Sequence, residues 1–220
     1  MVRVDDVRKD EVVRTYIHKA DAVMDAIGYT EHGMRHVLLV SDNASRALKE
    51  LGADPRRAEL AAIAGLLHDL GNVAGRKNHE QVGAIIAHRL LTDMGMSVDE
   101  ACDVMAAIGN HEADPAIMPA LDLCGALVVA DKADVHHTRV RPSASYKDDI
   151  HDRVNGAAQN SRLDINAEDR VISLAIRIDP DKASPMEYFE IFLGRMVMSR
   201  RAAEILECRF ELYINEARLA

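Results

Sequence analysis

The sequence predicts a mainly α protein: a helical bundle over residues 1–160, followed by a small α+β subdomain over residues 161–220. Three observations predict it. Apolar residues recur at helical spacing through roughly the first 135 positions. Hydrophobic residues make up 48% of the chain but aromatics only 4%, with no Trp, so small and aliphatic side chains must fill a core of closely packed helices. From about residue 161 the pattern changes to the alternation expected of strands.

The elements follow in order. Residues 6–26 and 33–51 are helical in pattern. A helix over 55–70 starts with Asp54 as N-cap and Pro55 at its first position, turns Ile63, Leu66, Leu67 and Leu70 inward, and stops at Gly71. The next begins near Asn78 with Val82, Ile86 and Leu90 on one face. Ser97 and Glu100 read as a capping box for a helix with Ala101, Val104, Met105 and Ile108 inward. A helix over 119–134 carries Cys124, Leu127 and Val128 on its apolar face. Residues 138–160 read as a mobile, basic and polar connection. Strands are expected at 163–165 and 171–176 around a polar turn, and at 210–214. Between them Ser184 and Glu187 form a second capping box, opening a helix with Phe189, Leu193 and Met196.

The chain is long enough, at 220 residues, for one well-cored domain with a small appendage. A formal net charge of −9 argues against a broad surface for nucleic acid or anionic lipid. Cys102, Cys124 and Cys208 are far apart and lack CxxC spacing, which fits reduced thiols in a cytoplasmic protein. No run approaches transmembrane length, and the N-terminus has no apolar h-region.

The chemistry lies in an ordered series of histidines and aspartates: His36, the pair His68-Asp69, His79, His111 and Asp131. A lone histidine in a helical protein is most often a surface residue or a satisfied core residue. Here the members sit at the ends of apolar stripes. His111 follows Val104 and Ile108, Asp131 follows Cys124, Leu127 and Val128, and His79 precedes Val82, Gly83 and Ile86. The stripes point into the bundle, so these polar groups converge on partly buried space, where an unpaired carboxylate is costly. A divalent cation resolves that conflict, and histidine with carboxylate suits a catalytic transition metal. The competing reading is a buried hydrogen-bonded network. Other motifs fail: His79-Glu80 lacks the second zincin histidine, His111-Glu112 runs into Pro115, and there is no P-loop, GxGxxG or GxSxG. His32 is a reserve ligand or pocket residue.

The segments GLLHDLG and VVADKAD, with NHEQVGAIIAHRLL and AIGNHE between them, resemble the HD superfamily of metal-dependent phosphohydrolases over roughly residues 30–140. The extra histidines resemble the branch that includes symmetrical dinucleoside-tetraphosphate hydrolases, cyclic-dinucleotide phosphodiesterases and the HD domain of ribonuclease Y. The resemblance implies an HD-domain helical bundle in which His36, His68, Asp69 and Asp131 hold one metal. It also implies that His79 and His111 complete a second site and that Asp69 bridges the two. Two departures stand out. Asn72 occupies the position where many relatives have Lys, so a cation near substrate is missing or comes from elsewhere. HDLGNV also differs from the HDxxED of guanosine-tetraphosphate hydrolases.

The expected function is therefore hydrolysis of a small nucleotide-like phosphoester by a metal-dependent phosphohydrolase or phosphodiesterase. Asp69 and Lys132 are the expected catalytic residues, and Arg139 and Arg141 the expected substrate contacts; Arg76 and Lys77 are further candidates for phosphate. Asp134, one helical turn after Asp131, is a candidate to orient a ligand or water. The expected cofactor is one or two divalent ions of iron, manganese, zinc or nickel, by the ligand chemistry alone. The expected partner is a small phosphorylated molecule, with extended nucleic acid disfavoured, no membrane, and room for a homo-oligomer. The rivals are an RNA-cleaving phosphodiesterase and a metal-bound nucleotide sensor or assembly protein without turnover.

Overall fold

The structure is a computed structural model and describes residues 1–141 and 150–219. Helices α1 (Val4–Lys9), α2 (Glu11–Ala26), α3 (Met34–Glu50) and α4 (Pro55–Leu67) lead into a short 3-10 segment, Leu70–Ala74. Then come α5 (His79–Asp93), α6 (Val98–Gly109) and α7 (Asp122–Lys132). After a 3-10 turn at His137–Arg139, α8 (Ile150–Ala157) runs directly into β1 (Ala158–Asn166) and β2 (Val171–Ile178). The chain ends with α9 (Pro185–Ile205), β3 (Arg209–Ile214) and the short β4 (Ala217–Arg218). No helix among the described residues is long and apolar enough to cross a membrane.

Caps explain most helix starts. Asp10, Asp54 and Ser97 each accept a backbone N–H of their helix's first turn, and Ser184 with Glu187 forms the complete capping box. The box expected at Ser97 is only half made. Glu100 turns its carboxylate to Arg56, 2.7 Å away, a charged partner that outcompetes a backbone N–H.

α3 packs against α4 and α7, α5 against α6, and α2 against the 3-10 segment after α4. Two of these contacts depend on glycine. A Cβ at Gly65 on α4 would lie 2.7 Å from the Ser41 Cα of α3, and one at Gly71 would overlap the His79 carbonyl and the Gly83 nitrogen of α5. The helix expected to run to residue 70 therefore ends at Leu67, and the chain turns tightly to lay Gly71 on α5. For the same reason the buried face of α5 is His79, Gly83, Ala84, Ala87 and Leu91, and the expected stripe of Val82, Ile86 and Leu90 is only half-buried. On α9, Leu193 is exposed, and Tyr188, Phe192 and Met196 form the buried face.

The sheet order is β1-β2-β3-β4, with β2 and β3 parallel and α9 as the crossover between them. α9 packs against α7, and a single apolar cluster runs through bundle and sheet alike; the expected boundary at residue 160 falls inside β1. The described ends of the stretch expected to be mobile are ordered: Arg139 is buried and α8 is a helix. Residues 142–149 of that stretch lie outside the described residues. Cys102 is exposed, Cys124 and Cys208 are buried, and none is in a disulfide.

Candidate metal centre

The six candidate ligands are delivered by five stretches of the bundle, and all of them are buried. His36 lies in the first turn of α3 and His68 at the end of α4, facing each other because Gly65 lets those helices close. Asp69 begins the tight turn, His79 opens α5, His111 follows α6, and Asp131 lies in the last turn of α7.

Their nitrogens are sorted by hydrogen bonding. Nδ1 of His68, His79 and His111 each faces a backbone carbonyl, of Gly65 (2.8 Å), Arg76 (3.0 Å) and Ile108 (2.7 Å). Nδ1 of His36 faces Asp134 Oδ2 at 2.7 Å. These oxygens only accept, so Nδ1 carries a proton and Nε2 is the nitrogen left to take either a second proton or a cation. The Nε2 atoms then meet head to head, His36 to His68 at 3.3 Å and His79 to His111 at 3.3 Å. Until one of them takes it, two acceptors in contact cannot satisfy each other. Asp69 adds a further deficit: its Oδ2 is buried without a hydrogen-bond partner, 3.2 Å from His68 Nε2 and 3.5 Å from His36 Nε2. Its other oxygen, Oδ1, lies 3.4 Å from His79 Nε2. The carboxylate thus addresses both halves of the set, and Asp131 Oδ1 closes the first half, 3.4 Å from His36 Nε2.

The electrostatics make the same demand. Burial opposes a charged imidazole at His68, but the Asp69 charge and the Asp131 contact outweigh it and push its pKa up to about 10, so without an ion a second proton takes the Nε2 position between the carboxylates that a cation would take. His111 goes the other way: burial, then repulsion from His68 and Lys132, push it down to about 3 and keep it neutral. Asp69 and Asp131 are held well below the usual carboxylate range despite burial, by His68 for Asp69 and by Lys132 with the imidazoles for Asp131. An orphaned oxygen, imidazoles that meet at their Nε2 atoms and ionised carboxylates together fit a bound cation, and His36, His68, Asp69, His79, His111 and Asp131 supply three overlapping groups able to hold a metal ion.

A ring of charged groups holds these ligands. Asp134 takes a forked contact from Arg35 (2.8 and 3.2 Å) as well as the His36 proton, so it orients an imidazole. Lys132 is 1% exposed, with its ammonium 2.7 Å from Asp131 Oδ2 and 2.9 Å from Glu112 Oε1. That contact holds Glu112 at about 2 against burial. Lys132, expected as a catalytic residue, thus has its ammonium on the candidate ligand Asp131 and on Glu112. Asn72 donates to Asp69 Oδ1 at 2.7 Å, and the Arg76 guanidinium lies 3.7 Å from the same oxygen. Lys77 is exposed.

A cleft of about 480 Å³ opens beside the cluster, with His32, Arg76, Glu112, Arg139, Phe192 and Arg195 among its lining. His32 adjoins the ligands, its ring centroid 5.5 Å from that of His36. The two arginines expected at the substrate part company here. Arg139 lines the cleft but is 2% exposed, donating to the carbonyls of Glu31 and Asp134. Arg141 is outside the lining; it is taken up by Asp21 (2.7 Å), Asp25 (3.2 Å) and the Tyr29 carbonyl, so no substrate role is carried forward for it. A wider hollow of about 940 Å³ on the sheet, lined by residues such as Arg162 and Arg177, holds none of the candidate ligands. Glu112 and Arg195 were missed in the sequence. Glu112 was visible as His111-Glu112 but only as a failed zincin, and Arg195 lies far down the chain with no motif around it.

A family model of the HD domain matches residues 33–179, from the start of α3 through β2. The chain belongs to the HD domain family. This HD protein is 26% identical, over 75% of its length and 71% of the relative's, to an uncharacterized protein of Methanocaldococcus jannaschii. Among solved structures it resembles a predicted HD superfamily hydrolase from an uncultured Thermotogales bacterium, with 25% identity and a TM-score of 0.45, covering 57% of this chain and 67% of that one. Within the matched segment, the adjacent pair His68-Asp69 stands at the centre of the candidate ligand set.

Proposed function

We propose that this HD protein is a metal-dependent phosphohydrolase or phosphodiesterase acting on a small nucleotide-like phosphoester. The observation that carries the reading is the split Asp69 carboxylate: Oδ2 turned to His36 and His68, Oδ1 to His79, beside a cleft lined by arginines. His36, His68, Asp131 and Asp69 Oδ2 would hold one divalent ion, and His79, His111 and Asp69 Oδ1 a second. When bound, such ions acidify a water and neutralise charge on phosphoryl oxygens. The rest is the work of the chain. Asn72 fixes the Asp69 carboxylate, Lys132 and Glu112 fix Asp131, and Asp134 keeps the proton of His36 on Nδ1. Arg76 and Arg139 set a positive potential at the inner end of the cleft, which favours an anionic ester there.

Metal analysis with hydrolysis assays tests the reading. Purified protein should carry about one to two transition-metal ions per chain and hydrolyse a generic aryl phosphate or phosphodiester. Asp69→Ala should lose most of the metal and the turnover together. Full metal retention in a folded Asp69→Ala protein would overturn the site. Bound metal with no hydrolysis of any nucleotide or aryl ester favours the sensor, and tight cleavage of long RNA at moderate salt favours the ribonuclease, which the net charge of −9 disfavours.

A further inference from the structure

The cleft extends well beyond the ligand set, and its far wall is made by the C-terminal segment. There α9 contributes Phe192 and Arg195. The Arg195 guanidinium lies over the Phe192 ring, 5.2 Å from its centroid, and Phe192 is itself buried. An arginine stacked on an aromatic face keeps its planar fork of donors for another ligand. Among the described residues no carboxylate pairs with Arg195. Its neighbours differ. Arg76 is held by Glu112 at 3.0 Å, and Arg139 by the carbonyls of Glu31 and Asp134.

The charge of the lining is unbalanced in the same direction. Arg76, Arg139 and Arg195 face the acids Glu112 and Asp152, and Glu112 is already neutralised by the buried Lys132 at 2.9 Å. Arg139 and Arg195 also repel. Burial, opposed by Asp134 and reinforced by Arg195, lowers the Arg139 pKa. The Arg195 guanidinium, stacked on Phe192 at a cleft of nucleotide size, marks a place for an anion.

We propose that Arg195 forms a second phosphate subsite, so that this HD protein selects phosphoesters bearing another phosphate beyond the one presented to the ligand set. This rests on the phosphoester reading above. It makes Arg195 a specificity-determining residue, contributed by a helix outside the family's matched segment of residues 33–179. Tyr29, on the same cleft with Arg76 5.9 Å from its ring centroid, offers an aromatic face for the nucleoside between the phosphates.

Binding calorimetry with adenosine 3′,5′-bisphosphate and adenosine 5′-monophosphate tests it without requiring turnover. Wild type should bind the bisphosphate about tenfold or more tightly than the monophosphate, the scale of one charge-assisted contact. Arg195→Gln should erase that preference while leaving the monophosphate unchanged, and Arg195→Lys should restore part of it. A wild type without preference, or an Arg195→Gln protein that weakens both ligands equally, overturns the subsite. Hydrolysis of p-nitrophenyl phosphate, measured in parallel, should be the same in wild type and Arg195→Gln. If neither protein hydrolyses it or any nucleotide, the enzyme reading fails while the calorimetry still decides the subsite.

Discussion

The two halves of the ligand set differ in what stands behind their imidazoles. Around His36 and His68 the surroundings are anionic: Asp131 and Asp69 face both rings, and Asp134 accepts the outer proton of His36. Around His79 and His111 cations join the carboxylates of Glu80 and Glu112. Arg76 Nη1 donates to His79 Nε2 at 2.9 Å, and the Lys132 charge helps hold His111 neutral. A carboxylate behind an imidazole raises its basicity as a ligand, whereas a guanidinium on the lone pair competes with any ion. The first half is thus prepared to hold a cation tightly. The second would hold one only with Arg76 drawn off His79, and Arg76 also lines the cleft, where an anionic ester would draw it away.

The severest test of this contrast strikes the backbone that joins the halves. Asp69 and His79 are neighbours because Gly71 lies directly on α5, where a Cβ would overlap the His79 carbonyl. Backbone cannot yield as a flexible side chain can. Gly71→Ala should therefore destabilise the protein by about 3 kcal/mol in urea unfolding and abolish the second ion before the first. A variant of wild-type stability and metal content would show that the halves are not coupled through this contact.

Asp134→Asn probes the anionic half alone. It keeps the size of the side chain but removes the charge that orients His36 and answers Arg35. Affinity for the first ion, measured by competition with a chelator, should fall roughly 10- to 100-fold. The His79 half should be unaffected. An equal fall at both ions, or none, would erase the distinction drawn here.

Much of this arrangement was legible in the sequence, for a physical reason. His36, His68, Asp69, His79, His111 and Asp131 end or begin apolar stripes, so helical periodicity alone brings them to one buried space. Capping residues marked most helix starts, including the Ser184 box. The misses are the features set by close approach. Nothing in local pattern shows that Gly71 will rest on Gly83, and that contact ends α4 early and rotates the buried face of α5. Charge partners were equally hidden. Whether Lys132, Arg139 or Arg141 meets substrate depends on Glu112, Asp134, Asp21 and the Glu31 carbonyl, all supplied by other segments.

Arg76→Met sharpens the contrast from the cationic side. It leaves His79 and removes the donor on its lone pair, so the second ion should bind about tenfold more tightly, the scale of a charge-assisted hydrogen bond. Turnover should fall all the same, because the inner end of the cleft loses its positive charge. Titration of metal into the variant reads the first effect and steady-state kinetics the second. Weaker binding of the second ion would show that Arg76 supports that half rather than competing for it.

The smallest effect separates the acid sensitivity of the bundle from that of the site. Glu100 on α6 is held below its ordinary pKa by the hydrogen bond from Arg56, with burial opposing. Its folded pKa is thus lower than its unfolded one, so the pair stabilises the fold above the usual carboxylate range of about 4.3. That contribution is lost as the pH falls through this range toward the folded value. Both side chains keep some contact with water, 17% and 23% exposed, so the stabilisation stays below about 1 kcal/mol. Glu100→Gln should lower urea stability by that amount at pH 7, and the difference should shrink as the pH falls below the usual carboxylate range. Metal release on acidification should follow the wild-type curve, because the ligands of both halves are untouched. If Glu100→Gln shifts metal release as well, the bundle and the site do not respond to acid independently, and the contrast between the two halves must be measured at fixed pH.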